Sequence, residues 1–151
     1  MNSESSNLEE RRRAAIAPAI AAGIDEALIR QVVHSFYDEV QRDALIGPVF
    51  AERIEDWDAH LSTMCDFWSG VLLMSARYKG RPMQKHFTLP VGSAHFARWI
   101  ALFTATVKRL CTPEAAAMFV DRAGRIAESF QLGMAHARGE FPTHAGMTAT
   151  R

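Results

Sequence analysis

Apolar side chains recur along this chain with the spacing of amphipathic helices. The stretch 25–42 has an apolar residue at every fourth position, with apolar neighbours that widen the stripe, and this spacing predicts a helix with one buried face. The same kind of stripe predicts helices over 56–74, 93–110 and 113–134. The sequence has no alternating apolar and polar run flanked by Asn-Gly or Asp-Gly turns, which would indicate strands. The fold class is therefore predicted to be all-α.

Two segments interrupt the helical spacing. In LIGPVF, the Gly47-Pro48 pair breaks the first helical pattern, and we expect the chain there to deliver Phe50 into the interior. In KGRPMQKHFTLP, residues 79–90, glycine and two prolines leave room for little more than a turn of helix around His86. The second break therefore singles out His86 as a candidate functional residue.

Length and charge limit the possible classes of protein. With 151 residues, of which 48% are hydrophobic, the chain is long enough for one domain with its own core. We expect that domain over 25–138, between a flexible N-terminal extension, 1–24, and a flexible C-terminal tail, 139–151. Lys plus Arg and Asp plus Glu both number 17, so neither nucleic acid nor a membrane surface is an expected partner. No apolar run approaches the roughly 18 residues of a membrane span, and we expect a cytoplasmic protein.

Four polar or amphipathic side chains fall in apolar surroundings: Tyr37, His60, His86 and Trp99. Any one of them is more simply interpreted as a core residue with a hydrogen-bond partner. Burying all of them in one small core is costly, however, unless something occupies the space between them. Haem would explain the pattern, because one histidine holds its iron while aromatic and aliphatic side chains enclose the ring. Motifs of nucleotide-binding proteins, serine hydrolases and metalloproteases are missing from the sequence.

Four stretches of the sequence carry a resemblance to a known family. They are HSFYDEVQRDALIGPVF, WDAHLSTMCDFWSGVLL, YKGRPMQKHFTLP and HFARWIALF. In this order they resemble the group III truncated haemoglobins of bacteria, over about 25–138. The resemblance implies a truncated globin, in which a two-over-two helical sandwich surrounds a b-type haem. It also implies that the proximal helix is reduced to a loop and a turn, which agrees with the break at 79–90.

The resemblance also implies roles for individual residues. His86 in QKHFTLP matches the proximal iron ligand of the family, and Phe50 in LIGPVF matches an aromatic residue that packs on the haem. Tyr37 in SFYDEV, His60 in WDAHLS and Trp99 in FARWIALF match the distal residues. The family would therefore use His86 as the metal ligand and all five residues to bind the cofactor.

The haem propionates need cations near the solvent. Arg81 and Lys85 flank His86 in the sequence and are candidates for this contact, because guanidinium and ammonium groups pair with carboxylates. Ordinary surface charge is an equally good interpretation of both residues.

The distal residues indicate which gas chemistry to expect. The Tyr37 hydroxyl and the Trp99 indole can each donate a hydrogen bond to bound oxygen, and two donors favour slow release. Slow release suits scavenging, sensing or redox chemistry on O2, NO, CO or peroxide, with an unidentified reductase, rather than bulk transport. His60 could be a donor, a gate or an iron ligand, and the sequence leaves all three open.

Two other classes of function stay open at this point. A peroxidase-like haem enzyme would use the same iron with His60 as its distal acid–base group. A haem-free helical interaction domain would use the inward polar groups only for structure.

Overall fold

The computed structural model describes residues 3–78, 91–137 and 139, and the fold in these ranges is entirely helical. The helices are α1 (Ser3–Ala21), α2 (Glu26–Arg42), α3 (Gly47–Arg53), α4 (Trp57–Leu73), α5 (Ser93–Leu110) and α6 (Pro113–Ala137). The predicted all-α fold is confirmed, and the four predicted long helices correspond to α2, α4, α5 and α6. Among the described helices, none combines the length and the apolar character that crossing a membrane requires.

Side-chain caps explain where three of the long helices begin. The Asp25 carboxylate accepts a hydrogen bond from the N–H of Leu28 at 2.8 Å, and Asp56 does the same for Ala59 at 3.1 Å. The Thr112 hydroxyl accepts from Ala115 at 3.1 Å. Each cap satisfies a backbone N–H that the helix itself leaves without a partner.

The segment around Gly47-Pro48 is a helix start as well as a break. The first helical pattern ends at Arg42, and Pro48 lies in the first turn of α3, where the missing N–H of proline costs nothing. Gly47 is required there because a Cβ would lie only 2.9 Å from the carbonyl oxygen of Val40. The sequence therefore predicts the break but misses the short helix that carries Phe50.

Residues 1–24 include a helix that the sequence analysis did not predict. In α1, Pro18 interrupts the apolar pattern, but Ala19 is only 1% exposed and Ile24, just after the helix, is also 1% exposed. The Thr112 hydroxyl donates to the carbonyl oxygen of Ala22 at 2.9 Å, which ties this segment to the start of α6. The core thus includes residues upstream of position 25.

The helices form two packed pairs. α2 packs on α4 and α5 packs on α6, while α2 also contacts α5 and α3. The pairs meet in an aromatic core that contains Phe36, Trp68, Phe103 and Phe119. The Trp68 and Phe103 rings stack with centroids 5.1 Å apart, and Phe36 meets Phe103 edge to face. This arrangement is the predicted two-over-two sandwich.

Asp43 fixes the turn between α2 and α3. Its carboxylate accepts hydrogen bonds from the N–H groups of Leu45 and Ile46, both at 3.0 Å, and from Nε of Arg98 on α5 at 2.6 Å. These donors, the Ile46 N–H first, lower the pKa of Asp43 although partial burial opposes them. The Asp43 side chain therefore ties the turn before α3 to α5.

We expect Asp43→Asn to lower the melting temperature at neutral pH. A domain of this size loses roughly 2–4 °C for each kcal/mol of stability. Because the pKa of Asp43 is lower in the folded state, its stabilising effect is present above the unfolded value and is lost as the pH falls through the folded value. The difference between the two melting temperatures should therefore begin to shrink below about pH 4, the ordinary value for an aspartate, and should be lost as the pH falls through the lower folded value. Asp121→Asn, which removes a surface pair with Arg122 and Arg125, is the control and should change little. A constant difference down to low pH would contradict this role.

A candidate haem pocket between the helices

A cavity of about 860 Å³, counting the part open to solvent, lies among α2 to α6. The walls are mostly apolar and include Ile46, Met64, Phe67, Phe96, Ile126 and Phe130. The composition of the walls therefore suits an apolar ligand.

The cavity brings together four of the predicted site residues. Tyr37 comes from α2, Phe50 from α3, His60 from α4 and Trp99 from α5, and all four line its wall. The helical spacing explains how they converge, because each lies on the inward face of its own helix. Residues far apart in the sequence thus share one site.

His60 is surrounded by aromatic rings. Its imidazole meets the Tyr37 ring edge to face with centroids 4.9 Å apart, and it meets Trp57 in the same way at 5.8 Å. Phe50 lies 6.5 Å away. Trp57 precedes His60 by three residues on α4, so the helix places both rings on one face. His60 is therefore at the cavity wall next to the buried tyrosine.

Tyr37 keeps its proton. Its side chain is only 5% exposed, and burial raises the pKa of the phenol well above its ordinary value. Packing against Phe36 and Phe50, with ring centroids 4.9 Å and 5.8 Å away, limits the rotation of the ring. The hydroxyl is thus a hydrogen-bond donor at the cavity over the whole physiological pH range.

Trp99 is held by a stack of rings. Its indole lies parallel to Phe103, with an angle of 8° between the planes and 5.8 Å between centroids. Phe103 stacks in turn on Trp68 at an angle of 13°. Because this stack fixes the plane of the indole, Trp99 presents one orientation to the cavity.

Comparison with known proteins identifies the family. The model of the family described as bacterial-like globin matches residues 21–128. The chain is a bacterial-like globin. The group 3 truncated hemoglobin ctb of Campylobacter jejuni is 32% identical to this globin over 113 residues, which cover 72% of this chain and 89% of the relative.

A solved structure supports the same assignment. The crystal structure of group III truncated hemoglobin from Campylobacter jejuni superposes with a TM-score of 0.69 at 32% identity, over 72% of this globin and 89% of that chain. The predicted resemblance to the group III truncated haemoglobins is therefore confirmed. Membership of the globin family implies haem-based binding of small gas ligands.

The side chains around the cavity fit a haem group. Most of the wall is apolar, as the porphyrin ring requires, and the polar groups are a few aromatic and imidazole tips at one part of it. Phe50 and Phe67 supply flat rings that can pack on another flat ring. The composition of the wall thus agrees with the cofactor that the family implies.

His95 also lines the cavity of the globin, and the sequence analysis gave it no role there. It is half-buried in the first turn of α5, and its Nδ1 accepts a hydrogen bond from the N–H of Gly92 at 3.0 Å. In the neutral imidazole the hydrogen is then on Nε2, which remains a donor. A bond between a side chain and a backbone N–H three residues earlier has no signature in the hydrophobic pattern.

Three predicted site residues lie outside the described part of the globin. They are His86, Arg81 and Lys85, in the segment between Tyr78 and Val91. Their roles as iron ligand and propionate partners stay predictions. Val91, where the description resumes, lines the cavity, and Tyr78 packs on Phe67 of its wall. Val91 thus lies at the cavity, and Tyr78 lies next to a residue of its wall.

Proposed function

We propose that this globin binds O2, NO and CO at a haem b whose iron is held by His86. The observation that carries the proposal is the convergence of Tyr37, His60 and Trp99 from three helices on one largely apolar cavity. We further propose that binding serves scavenging, sensing or redox chemistry on NO and O2 rather than bulk transport. An unidentified reductase in the cytoplasm would keep the iron in its reduced state.

Haem, when bound, supplies an iron with an open coordination position at which a gas binds and gains partial negative charge. In the proposed assignment His86 holds the cofactor from one side, and Phe50 packs on its ring. Arg81 and Lys85 pair with its propionates. The apolar residues among those that line the cavity wall would limit the access of water to the gas.

The distal side chains act on the gas as hydrogen-bond donors. The Tyr37 hydroxyl is buried and protonated, and Trp99 has a fixed plane, so neither has to reorganise before it donates. A hydrogen bond to a charged acceptor contributes about 1.5–3 kcal/mol, and each 1.4 kcal/mol corresponds to a factor of about ten. Two such donors therefore favour slow release of oxygen, which is unsuited to transport.

The imidazole of His60 contacts the rings of Tyr37, Phe50 and Trp57. Its ring packs against both Tyr37 and Trp57 at the cavity wall, so movement of the imidazole would change the packing of the tyrosine. We propose that His60 acts as a gate for the gas.

Gas binding and release by the reduced protein test the proposed function. We expect characteristic absorption changes with CO, NO and O2, slow release of oxygen in stopped-flow mixing with a CO trap, and nitrate when NO is added to the oxygen-loaded protein. His60→Ala should accelerate CO uptake, because it removes the gate. Oxygen release as fast as transport requires would contradict the proposal.

A peroxidase-like function is the second candidate, favoured by the position of one imidazole at the cavity beside Tyr37. It would appear as steady turnover with hydrogen peroxide and a reducing dye. If this turnover collapsed in His60→Ala while CO uptake was unchanged, the function would be peroxidase chemistry instead of gas binding.

A further inference from the structure

Arg12 on α1 binds the C-terminal end of α4. Its Nε donates to the carbonyl oxygen of Met74 and its Nη2 to that of Leu73, both at 3.0 Å. The last carbonyl groups of a helix have no partner within the helix, and they carry its negative end. A guanidinium with two parallel donors therefore matches this end in both geometry and charge.

The residues that follow α4, 74–78, are termed the exit segment. Its backbone takes an unusual path, because Met74 has φ +52° and Ala76 has φ +60°. Residues other than glycine seldom adopt positive φ, so surrounding contacts must hold this path. Arg12 supplies one of these contacts at Met74.

A second set of contacts comes from the start of α2. The buried Ser69 hydroxyl donates to a carboxylate oxygen of Glu26 at 2.6 Å and lies 2.8 Å from the Ser75 hydroxyl. Arg77 pairs with the other oxygen of Glu26 at 3.2 Å. The exit segment is thus held at Met74, Ser75 and Arg77 by groups from α1, α2 and α4.

The exit segment forms part of the support of the cavity. Tyr78, at its end, meets Phe67 edge to face with centroids 5.3 Å apart, and Phe67 lines the cavity. Trp68, next on α4, lines it as well. Along the sequence, the chain continues from Tyr78 to the predicted iron ligand His86.

We propose that Arg12 is a positioning residue for the haem pocket. By fixing the end of α4 and the path of the exit segment, its guanidinium sets the cavity wall at Phe67 and the point from which the chain leaves toward His86. Arg12 precedes the residues matched by the globin family, 21–128, so the family assignment does not include this contact. The inference rests on the proposed function, since it concerns retention of the haem.

The test compares Arg12→Gln with Arg11→Gln in the full chain loaded with haem. Arg11 is the adjacent arginine on the exposed side of α1, which makes it a matched control for charge. The rate of haem transfer to excess apomyoglobin is measured together with the iron–histidine stretching band of the reduced protein and the melting temperature. We expect Arg12→Gln to lose haem several-fold faster than Arg11→Gln, because the end of α4 loses two hydrogen bonds that hold it, and to shift the band.

Arg12→Lys is the second variant, and it keeps the inference testable if Arg12→Gln fails to fold. An ammonium keeps the charge and can donate to a carbonyl oxygen, but it lacks the rigid planar fork of the guanidinium, so we expect a rate of haem loss between those of Arg12→Gln and the wild type. Equal haem loss and an unshifted band in Arg12→Gln and Arg11→Gln would overturn the inference while leaving the function intact. A lower melting temperature without a shifted band would also overturn it, because the role would then be only structural. A wild-type chain that takes up no haem would instead refute the proposed function.

Discussion

His86→Ala is expected to abolish tight haem binding. In the proposed assignment its imidazole is the protein ligand of the iron, so the variant would hold the cofactor only through the apolar cavity wall. Removing a residue that only hydrogen-bonds a metal ligand typically lowers metal affinity roughly 10–100-fold. We expect the loss of the ligand His86 itself to lower haem retention by more than this. The measurement is the rate of haem transfer to excess apomyoglobin, with the absorption spectrum of the reduced protein and its CO adduct.

His34→Ala is the control for this variant. His34 lies half-buried on α2 and is not part of the cavity lining, so its removal should leave the spectrum and the haem-transfer rate unchanged. His86→Gly with added imidazole should recover the wild-type spectrum, because free imidazole can occupy the vacated ligand position. An alanine variant that retains haem as tightly as the wild type, with the same spectrum, would contradict the assignment of His86.

Tyr37→Phe is expected to accelerate oxygen release by about 10–100-fold, because it removes one donor worth about 1.5–3 kcal/mol to a charged acceptor. The ring, and with it the packing against Phe36 and His60, is kept. Stopped-flow displacement of oxygen by CO measures the rate. Since burial raises the pKa of the phenol, the wild-type rate should also stay constant up to about pH 10, where an ordinary tyrosine ionises.

Tyr78→Phe is the matched control for loss of a phenolic hydroxyl. Tyr78 is half-buried and packs against Phe67, but it is not among the residues that line the cavity. Its variant should release oxygen at the wild-type rate. If Tyr37→Phe did the same, the distal donor would have to be Trp99 or His60, and the role given to Tyr37 would be wrong.

The sequence predicted the helices in which buried residues recur at a regular spacing. On α4 the spacing of Trp57, His60 and Met64 places all three on one face, and in the structure His60 and Met64 line the cavity. The same reasoning led to Tyr37 and Trp99. Convergence of these residues followed from helical geometry together with the family resemblance.

Features that do not follow a repeating apolar pattern could not be predicted in this way. Helix α1 buries the small residue Ala19 and uses Arg12 to reach the end of α4, so it shows little apolar stripe of its own. Helix α3 has only seven residues, too few for a period to emerge. His95 reaches the cavity wall with its Nδ1 bonded to a backbone N–H. In each case the deciding contact lies outside the repeating pattern.

Titration of the haem-free protein with haemin tests the central claim most directly. We expect one haem per chain, quenching of the fluorescence of Trp68 and Trp99 at the cavity wall, and a CO adduct after reduction. Single-tryptophan variants that retain Trp57, Trp68 or Trp99 would show whether the haem lies in this cavity. Failure to take up haem, or uptake without quenching of Trp68 and Trp99, would contradict the claim that this cavity is the haem site.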